Sequence, residues 1–392
     1  MSGILYRNHT ATVILIDIPQ SIRDGQQVPY TLRSTPPLET PYPSTEPKGL
    51  RREAMLNRTA VDEQLYHESV QRDICAALIE IRTHLHGQGV VWCHLRSALT
   101  SYTDSTARLA TQTSNSNWSV NAGPSERDGA VPVVLSTTQT RNKFGSLDNL
   151  QGNIVCNFRS ETAIAEVGDV GDFIVPSSSA FLWASIEQGL PAFLMARRAI
   201  SPGNRAFDLI LMDPPWSNRS VRNSHAYRTS DARDQDPFPQ ALRVVEDFLA
   251  PQGLLAIWIT NKSSIRARVL QTLQALDLRL RGEWVWIKST AQGVPVSQID
   301  GIWRRPYEVL LLFRKDRSPE DPERKVIAAV PDVHSRKPCL KMLLEEYLPS
   351  KYSALELFAR NLTAGWWSWG DEVLKFQHES QWDGYRRSEV EV

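Results

Sequence analysis

The chain has 392 residues, 41% apolar and 22% charged, a balance that fits a folded globular protein and excludes a disordered one. Its 44 basic residues match its 44 acidic ones, so no global field draws a polyanion, and any nucleic-acid contact must rest on local patches. No apolar run approaches the ~20 residues of a membrane span. The four cysteines (Cys75, Cys93, Cys156 and Cys339) stand far apart, which fits reduced thiols better than a disulfide framework.

The length allows one large domain with an appendage, or two domains. Ala11 to Ile16 reads as a strand, too soon interrupted by Asp17 and Pro19 for a signal peptide. Residues 19–49 hold many prolines among Ser, Thr and Gly and are expected as a linker or extended arm. From Arg51 to His86 a helical stripe runs through Leu65, Val70, Ile74, Leu78 and Ile81, closed by Gly87 and Gly89. A strand is expected to begin at Val90-Val91-Trp92. The nearby His84, His86, Cys93 and His94 lack the spacing of a zinc module, so no metal site is expected. Residues 1–99 thus form an N-terminal region, and the polar stretch 100–150 is expected as a long loop or disordered insertion.

A domain is expected over residues 151–385, and from about Val175 its texture is strand–helix alternation. Strands are expected at Ala180–Ile186, Phe207–Met212, Gly253–Thr260, Glu283–Lys288, Tyr307–Phe313, Val326–Val330 and Leu355–Ala359. Helices are expected at Leu190–Arg198, Ala241–Leu249, Ile265–Leu276 and Leu340–Leu348. This alternation predicts a three-layer α/β/α sheet of the Rossmann type.

Directly after the apolar run Phe207–Met212 come Asp213-Pro214-Pro215-Trp216. Two prolines end the strand and fix φ at successive positions. A carboxylate and an indole are therefore held at the carboxyl end of a buried strand, where open α/β sheets bind ligands. Asp213 and the Pro214 carbonyl can accept both hydrogens of an exocyclic amine, and Trp216 offers a stacking face. No G-x-G-x-x-G or P-loop is present, so nucleotide phosphates are poorly supported. S-adenosylmethionine needs neither. Its carboxylate requires a cation and its ribose or amino group a carboxylate, which Lys337, Glu356, Arg360 and Asn361 can supply near a strand end.

The motif resembles the active site of S-adenosylmethionine-dependent methyltransferases that modify adenine N6. The wider pattern is similar to the mRNA-adenosine methyltransferase-like (MT-A seventy type) family and to its branch of methyltransferase-like protein four. The matching blocks are Phe207–Trp216, Ser220–Arg222 with Ser224 and Tyr227, Trp258–Lys262, Trp284–Lys288, Arg305–Glu308, His334–Pro338, and Glu356–Leu362 followed by Gly365-Trp366, Ser368–Gly370 and Glu372–Phe376. The resemblance covers about the last 210 residues of 392. It implies a permuted motif order, the catalytic Asp213 preceding the cofactor strand at Glu356, and adds Asp371 and Glu372 near the cofactor ribose. Asp371 stands where the family has Asn, and Ser185 where a strand often carries Asp.

The resemblance implies N6 methylation of adenine in nucleic acid, most of all RNA, with 2′-O-methylated adenosine of small nuclear RNA as the target. DNA and a catalytically inactive RNA-binding scaffold are the alternatives. Asp213, Pro214, Pro215 and Trp216 would be catalytic. Asn218, Arg219, Arg222, Tyr227, Trp258 and Lys288 would contact substrate, the first four within a segment from Ala196 to Asp234 that holds seven arginines against four acids. A flipped or single-stranded base is favoured. No membrane partner is expected, protein partners are left open, monomeric action is allowed, and a nuclear location follows by analogy, with the cytoplasm also open.

Overall fold

The structure, a computed structural model, describes residues 2–89, 91–99, 132–168, 170–200, 206–216, 236–315 and 321–385. In chain order the elements begin with strands β1 (Ile4–Arg7) and β2 (Val13–Ile16), helix α1 (Ile18–Gln26), β3 (Thr31–Ser34), α2 (Gly49–Leu56) and α3 (Val61–Leu85). Then come β4 (Ser97–Ala98), β5 (Val133–Val134), β6 (Arg141–Phe144), β7 (Ile154–Cys156), β8 (Ala163–Val167), β9 (Gly171–Val175) and β10 (Ala180–Trp183). The catalytic half contains α4 (Ile186–Ile200), β11 (Phe207–Met212), α5 (Phe238–Phe248), β12 (Leu249–Ile259), α6 (Ser263–Ala275), β13 (Arg279–Lys288), β14 (Tyr307–Arg314) and β15 (Glu323–Ala329). It ends with α7 (Lys341–Leu344), β16 (Ala354–Leu357), β17 (Trp367–Gly370) and β18 (Trp382–Asp383).

Twelve strands make one mixed sheet in the order β1-β2-β15-β13-β14-β12-β11-β16-β17-β10-β7-β5. Within it β12, β11, β16, β17 and β10 are successive parallel neighbours, so five carboxyl ends share one edge. The strand β14 runs antiparallel to both β12 and β13, which brings the end of β13 and the start of β14 to that same edge. Strands β3, β4 and β18 form a small sheet, and β6, β8 and β9 another.

Helices cover both faces. Val70 and Ile74 of α3, Phe193 of α4, Val245 of α5 and Val269 of α6 share a core with Ile210 and Met212. On the other face Ile18 and Ile22 of α1 and Leu343 and Leu344 of α7 pack with Leu209, Trp258 and Trp284. Each such buried branched side chain contributes roughly 1.5–3 kcal/mol relative to exposure. Strand alternation puts Leu209 and Leu211 on the α1–α7 face, and Asp213 continues that row.

Four sequence expectations change. The prolines of residues 19–49 do not prevent a helix: Pro19 sits in the first turn of α1, where its missing N–H is no loss, and Asp17 caps the turn by accepting the Gln20 N–H at 2.9 Å. The stripe over Arg51–His86 breaks between Leu56 and Val61 into α2 and α3, and Leu65 is exposed while Val70, Ile74, Leu78 and Ile81 are buried. Val91 and Trp92 are not in a strand; Val90 lies outside the described residues. Residues 132–150, expected as loop, hold β5, β6 and a 3-10 turn, and β5 joins the main sheet. The remaining part of that stretch, 100–131, lies outside the described residues.

Candidate active site

The strand β11 ends at Met212 because Pro214 and Pro215 cannot supply a ladder N–H. Its neighbour β16 is in register, Leu211 opposite Glu356 and Met212 opposite Leu357. Asp213 and Glu356 therefore open on one cleft at the α1–α7 face. Leu211, Trp258, Lys337, Phe358, Arg360 and Asn361 line it with them, and Trp366 and Phe376 close it. Two of its residues hold non-glycine backbone in the left-handed region, Ser335 at φ 67° and Phe358 at φ 60°. Such conformations cost of order 1–3 kcal/mol and concentrate at functional sites. At Phe358 the turn ends β16 and lets Ala359 N–H bond the Trp369 carbonyl at 3.1 Å, while Arg360 swings toward Asp213.

The charged groups form one alternating row. Lys288 Nζ meets Glu308 Oε1 at 2.5 Å, and Glu308 Oε2 meets Lys337 Nζ at 3.1 Å. Lys337 Nζ then meets Asp213 Oδ2 at 2.9 Å, which Arg360 Nη1 approaches at 3.3 Å. Arg360 Nε pairs with Glu372 Oε2 at 3.0 Å, and Glu372 Oε1 with Lys375 Nζ at 2.7 Å. Burial alone would raise the Glu308 carboxyl, but Lys337 and Lys288 override it and hold it down to about 2. Burial would likewise lower the Lys337 ammonium, yet Asp213 and Glu308 push it well above the ordinary lysine range.

Two acceptors in the cleft are left open. Both cations approach Oδ2 of Asp213, and among the described residues Oδ1 takes no hydrogen bond. The Glu356 carboxylate takes none either, and burial, then the nearby Asp213 charge, push its carboxyl up to about 8 against the pull of Arg360. A carboxylate withdrawn from water without a donor is costly.

The structure brings Asp213, Lys337, Glu356, Arg360, Asn361 and Trp258 together around the cleft. Glu372 and Lys288 reach it through Arg360 and Glu308. Asp371 lies on an exposed turn after β17, its main-chain carbonyl accepting Trp183 Nε1–H at 2.8 Å. Ser185, at the end of the adjacent strand β10, accepts the Gln188 N–H on its hydroxyl at 3.3 Å and the Trp369 Nε1–H on its carbonyl at 3.3 Å. Trp216 turns away from the cleft. Its indole is 9% exposed within the core of the α3–α6 face, packs 5.2 Å from Phe238, and donates to the Trp258 carbonyl at 2.8 Å. Its backbone N–H bonds the Pro214 carbonyl at 2.8 Å. Asn218, Arg219, Arg222 and Tyr227 lie outside the described residues. Glu308 was missed as a site residue; its signal is an acid at the second position of the strand Tyr307–Arg314, ahead of the apolar run Val309–Phe313.

A run of parallel strands whose ends carry open carboxylates beside paired cations defines an α/β enzyme with its ligand cleft at the strand ends. Comparison with known proteins makes the class specific. The MT-A70 family pattern matches residues 207–372. A Pyricularia oryzae protein named N6-methyladenosine RNA methyltransferase MTA1 is 30% identical over 414 residues, covering 97% of this chain and 96% of its own length. The chain belongs to the MT-A70 family. The protein of the same name from Cryphonectria parasitica is 42% identical over 215 residues, 53% of this chain and 62% of its own length. The mouse N(6)-adenine-specific methyltransferase METTL4 is 34% identical over 220 residues, 53% of this chain and 44% of its own length.

Proposed function

We propose that this chain is an S-adenosylmethionine-dependent N6-adenine methyltransferase acting on nucleic acid, with RNA as the polymer and 2′-O-methylated adenosine of small nuclear RNA as the target in the nucleus. The observation that carries the chemistry is Asp213: its Oδ2 is pinned by Lys337 and Arg360 while Oδ1 stays open toward the cleft. Near-full-length similarity to a protein named as an RNA methyltransferase supports the choice of polymer.

The residues present fit the cofactor. Lys337 and Arg360 are cations for its carboxylate, and Glu356, without a donor of its own, is a counter-charge for its cationic end. When bound, S-adenosylmethionine supplies an electrophilic methyl group. Adenine's amino nitrogen is a weak nucleophile because its lone pair is delocalised into the ring. Asp213 Oδ1 accepts one amino hydrogen, and the Pro214 carbonyl, one lone pair already on the Trp216 N–H, accepts the other with its second. Together they draw the lone pair out of conjugation and stabilise the positive charge that develops at nitrogen. Asp213 acts by accepting a hydrogen bond, and the amino proton is lost to solvent after methyl transfer. Trp216 serves by fixing the Pro-Pro turn through its bond to the Trp258 carbonyl.

The test is Asp213→Asn. Turnover falls by about 10²–10³, the scale of losing one preorganised electrostatic contact, while equilibrium binding of labelled S-adenosylmethionine persists. Near-normal turnover would refute the role of Asp213.

A further inference from the structure

We propose that the Trp303 face of the β13–β14 loop, together with Arg51 of α2, is a docking surface for the single-stranded nucleic acid that flanks the target adenine. The inference rests on the nucleic-acid reading above and adds to it a place where the strand is held outside the cleft.

The loop covers residues 289–306 and starts and ends at the site. Lys288 before it and Glu308 after it are the first members of the charged row that reaches Asp213. At its tip Trp303 is 45% exposed, a large aromatic surface left in water. This exposure is built rather than slack. The Glu46 carboxylate, from the N-terminal arm, accepts three successive backbone N–H groups: Ile302 at 2.6 Å, Trp303 at 3.1 and 3.2 Å, and Arg304 at 3.0 Å. Gly301 is required beneath them, because a Cβ there would meet the Arg304 carbonyl at 2.4 Å. Arg52 holds the other side of the tip through Asp300, at 2.7 Å to its carboxylate and 2.9 Å to its carbonyl. With the backbone clamped from both sides, the indole stands outward and the Arg51 guanidinium lies 5.1 Å from its ring centre.

Charge decides the occupant. Residues 46–58 and 300–305 hold six basic side chains against three acidic ones. Two of those acids, Glu46 and Asp300, are consumed by the loop itself. What faces solvent is a cation-backed aromatic plane with Arg304 beside it, the combination by which single strands are held: bases stack on the ring, phosphates on the arginines. A neutral chain binds a polyanion only through such a local patch.

The experiment uses the full chain, labelled single-stranded RNA of about a dozen nucleotides, and an adenosine-centred trinucleotide, read by fluorescence anisotropy, with S-adenosylmethionine binding as the control for an intact cleft. Trp303→Ala weakens the longer strand about tenfold and leaves the trinucleotide and the cofactor unaffected. Arg51→Ala and Arg304→Ala each reduce the slope of log affinity against log salt by about 0.7. Should Trp303→Ala lose cofactor binding, Trp303→Phe, which keeps a stacking ring, decides: it retains the longer strand while Arg304→Glu loses it. Longer-strand affinity equal to wild type in Trp303→Ala and Arg304→Glu overturns the inference, as does loss of self-association by Trp303→Ala with oligonucleotide binding unchanged. A wild-type chain that neither binds nor methylates any oligonucleotide overturns the functional reading and this inference together. Full methylation with Trp303→Ala binding like wild type overturns the inference alone.

Discussion

Glu283 and Glu356 both sit on strands of the main sheet, the first buried and the second half-buried, and their surroundings are opposite. Glu283 lies on β13 under α3, its side chain 5% exposed, clamped by Arg266 on one oxygen and by Arg324 at 3.0 Å on the other. Arg324 in turn reaches Asp73 of α3 at 2.6 Å, and Arg266 lies 4.2 Å from the Tyr66 ring centre. Glu356 lies on β16 at the cleft and takes no hydrogen bond among the described residues. A carboxylate that holds elements together is paired with cations on both oxygens, whereas one that waits for a cationic ligand is left without a donor at a cost to the empty protein.

The largest effect separates the two directly. Glu283→Ala leaves the half-buried Arg266 without its counter-charge and Arg324 with Asp73 alone, and lowers unfolding free energy by about 3 kcal/mol in chemical denaturation, the low end for a broken buried pair. A loss below about 1 kcal/mol would show that the α3 seam does not depend on this pair. Glu356→Gln, by contrast, leaves the empty protein as stable or more stable above neutral pH and weakens S-adenosylmethionine by about 10- to 100-fold, the scale of a hydrogen bond to a charged group. Unchanged cofactor affinity in that variant would remove Glu356 from the binding role.

Thermal stability against pH sharpens the same contrast. The Glu356 carboxyl stands at about 8 in the fold against an ordinary 4.5. Between those values the folded state holds more protons than the unfolded one, so its contribution is full below pH 4.5 and is lost as pH rises through 8. In the seam, burial and then Arg305 and Arg266 lower His67 to about 4 from 6.5, and its Nδ1 lies 2.6 Å from the Tyr307 hydroxyl. There the folded state holds fewer protons, so stability is present above pH 6.5 and is lost as pH falls toward 4. Glu356→Gln is expected to flatten the alkaline decline alone and His67→Gln the acid decline alone; a crossed result would break the assignment. The smallest effect is expected from Glu308→Gln, which keeps the shape of the side chain and removes its charge from between Lys288 and Lys337. Cofactor affinity shifts only a few-fold by calorimetry, because Asp213 still holds Lys337; a loss as large as that of Glu356→Gln would make Glu308 an equal partner.

Much of the sheet was legible because its strands are continuous apolar runs. Leu254–Ile259, Trp284–Ile287 and Val309–Phe313 are buried on both faces and read the same way from residues and from coordinates. The α1 helix was hidden by proline density, although the Asp17 cap and the spacing of Ile18, Ile22 and Gln26 were there to be seen. In the cleft, Asp213, Glu356, Lys337 and Arg360 could be grouped because their chemistry is explicit in their side chains. The direction of Trp216 could not, since it depends on the turn that bonds its N–H to the Pro214 carbonyl and sends the indole into the opposite core. Trp303 was equally illegible, because the clamp that turns it outward comes from Glu46, far back in the chain.

The most direct measurement is methyl transfer from isotopically labelled S-adenosylmethionine to matched RNA and DNA oligonucleotides, read by nucleoside mass spectrometry. The account predicts label in N6-methyladenosine from RNA, lost in Asp213→Asn while the cofactor still binds. Cofactor bound with no label in N6-methyladenine from either polymer would contradict it.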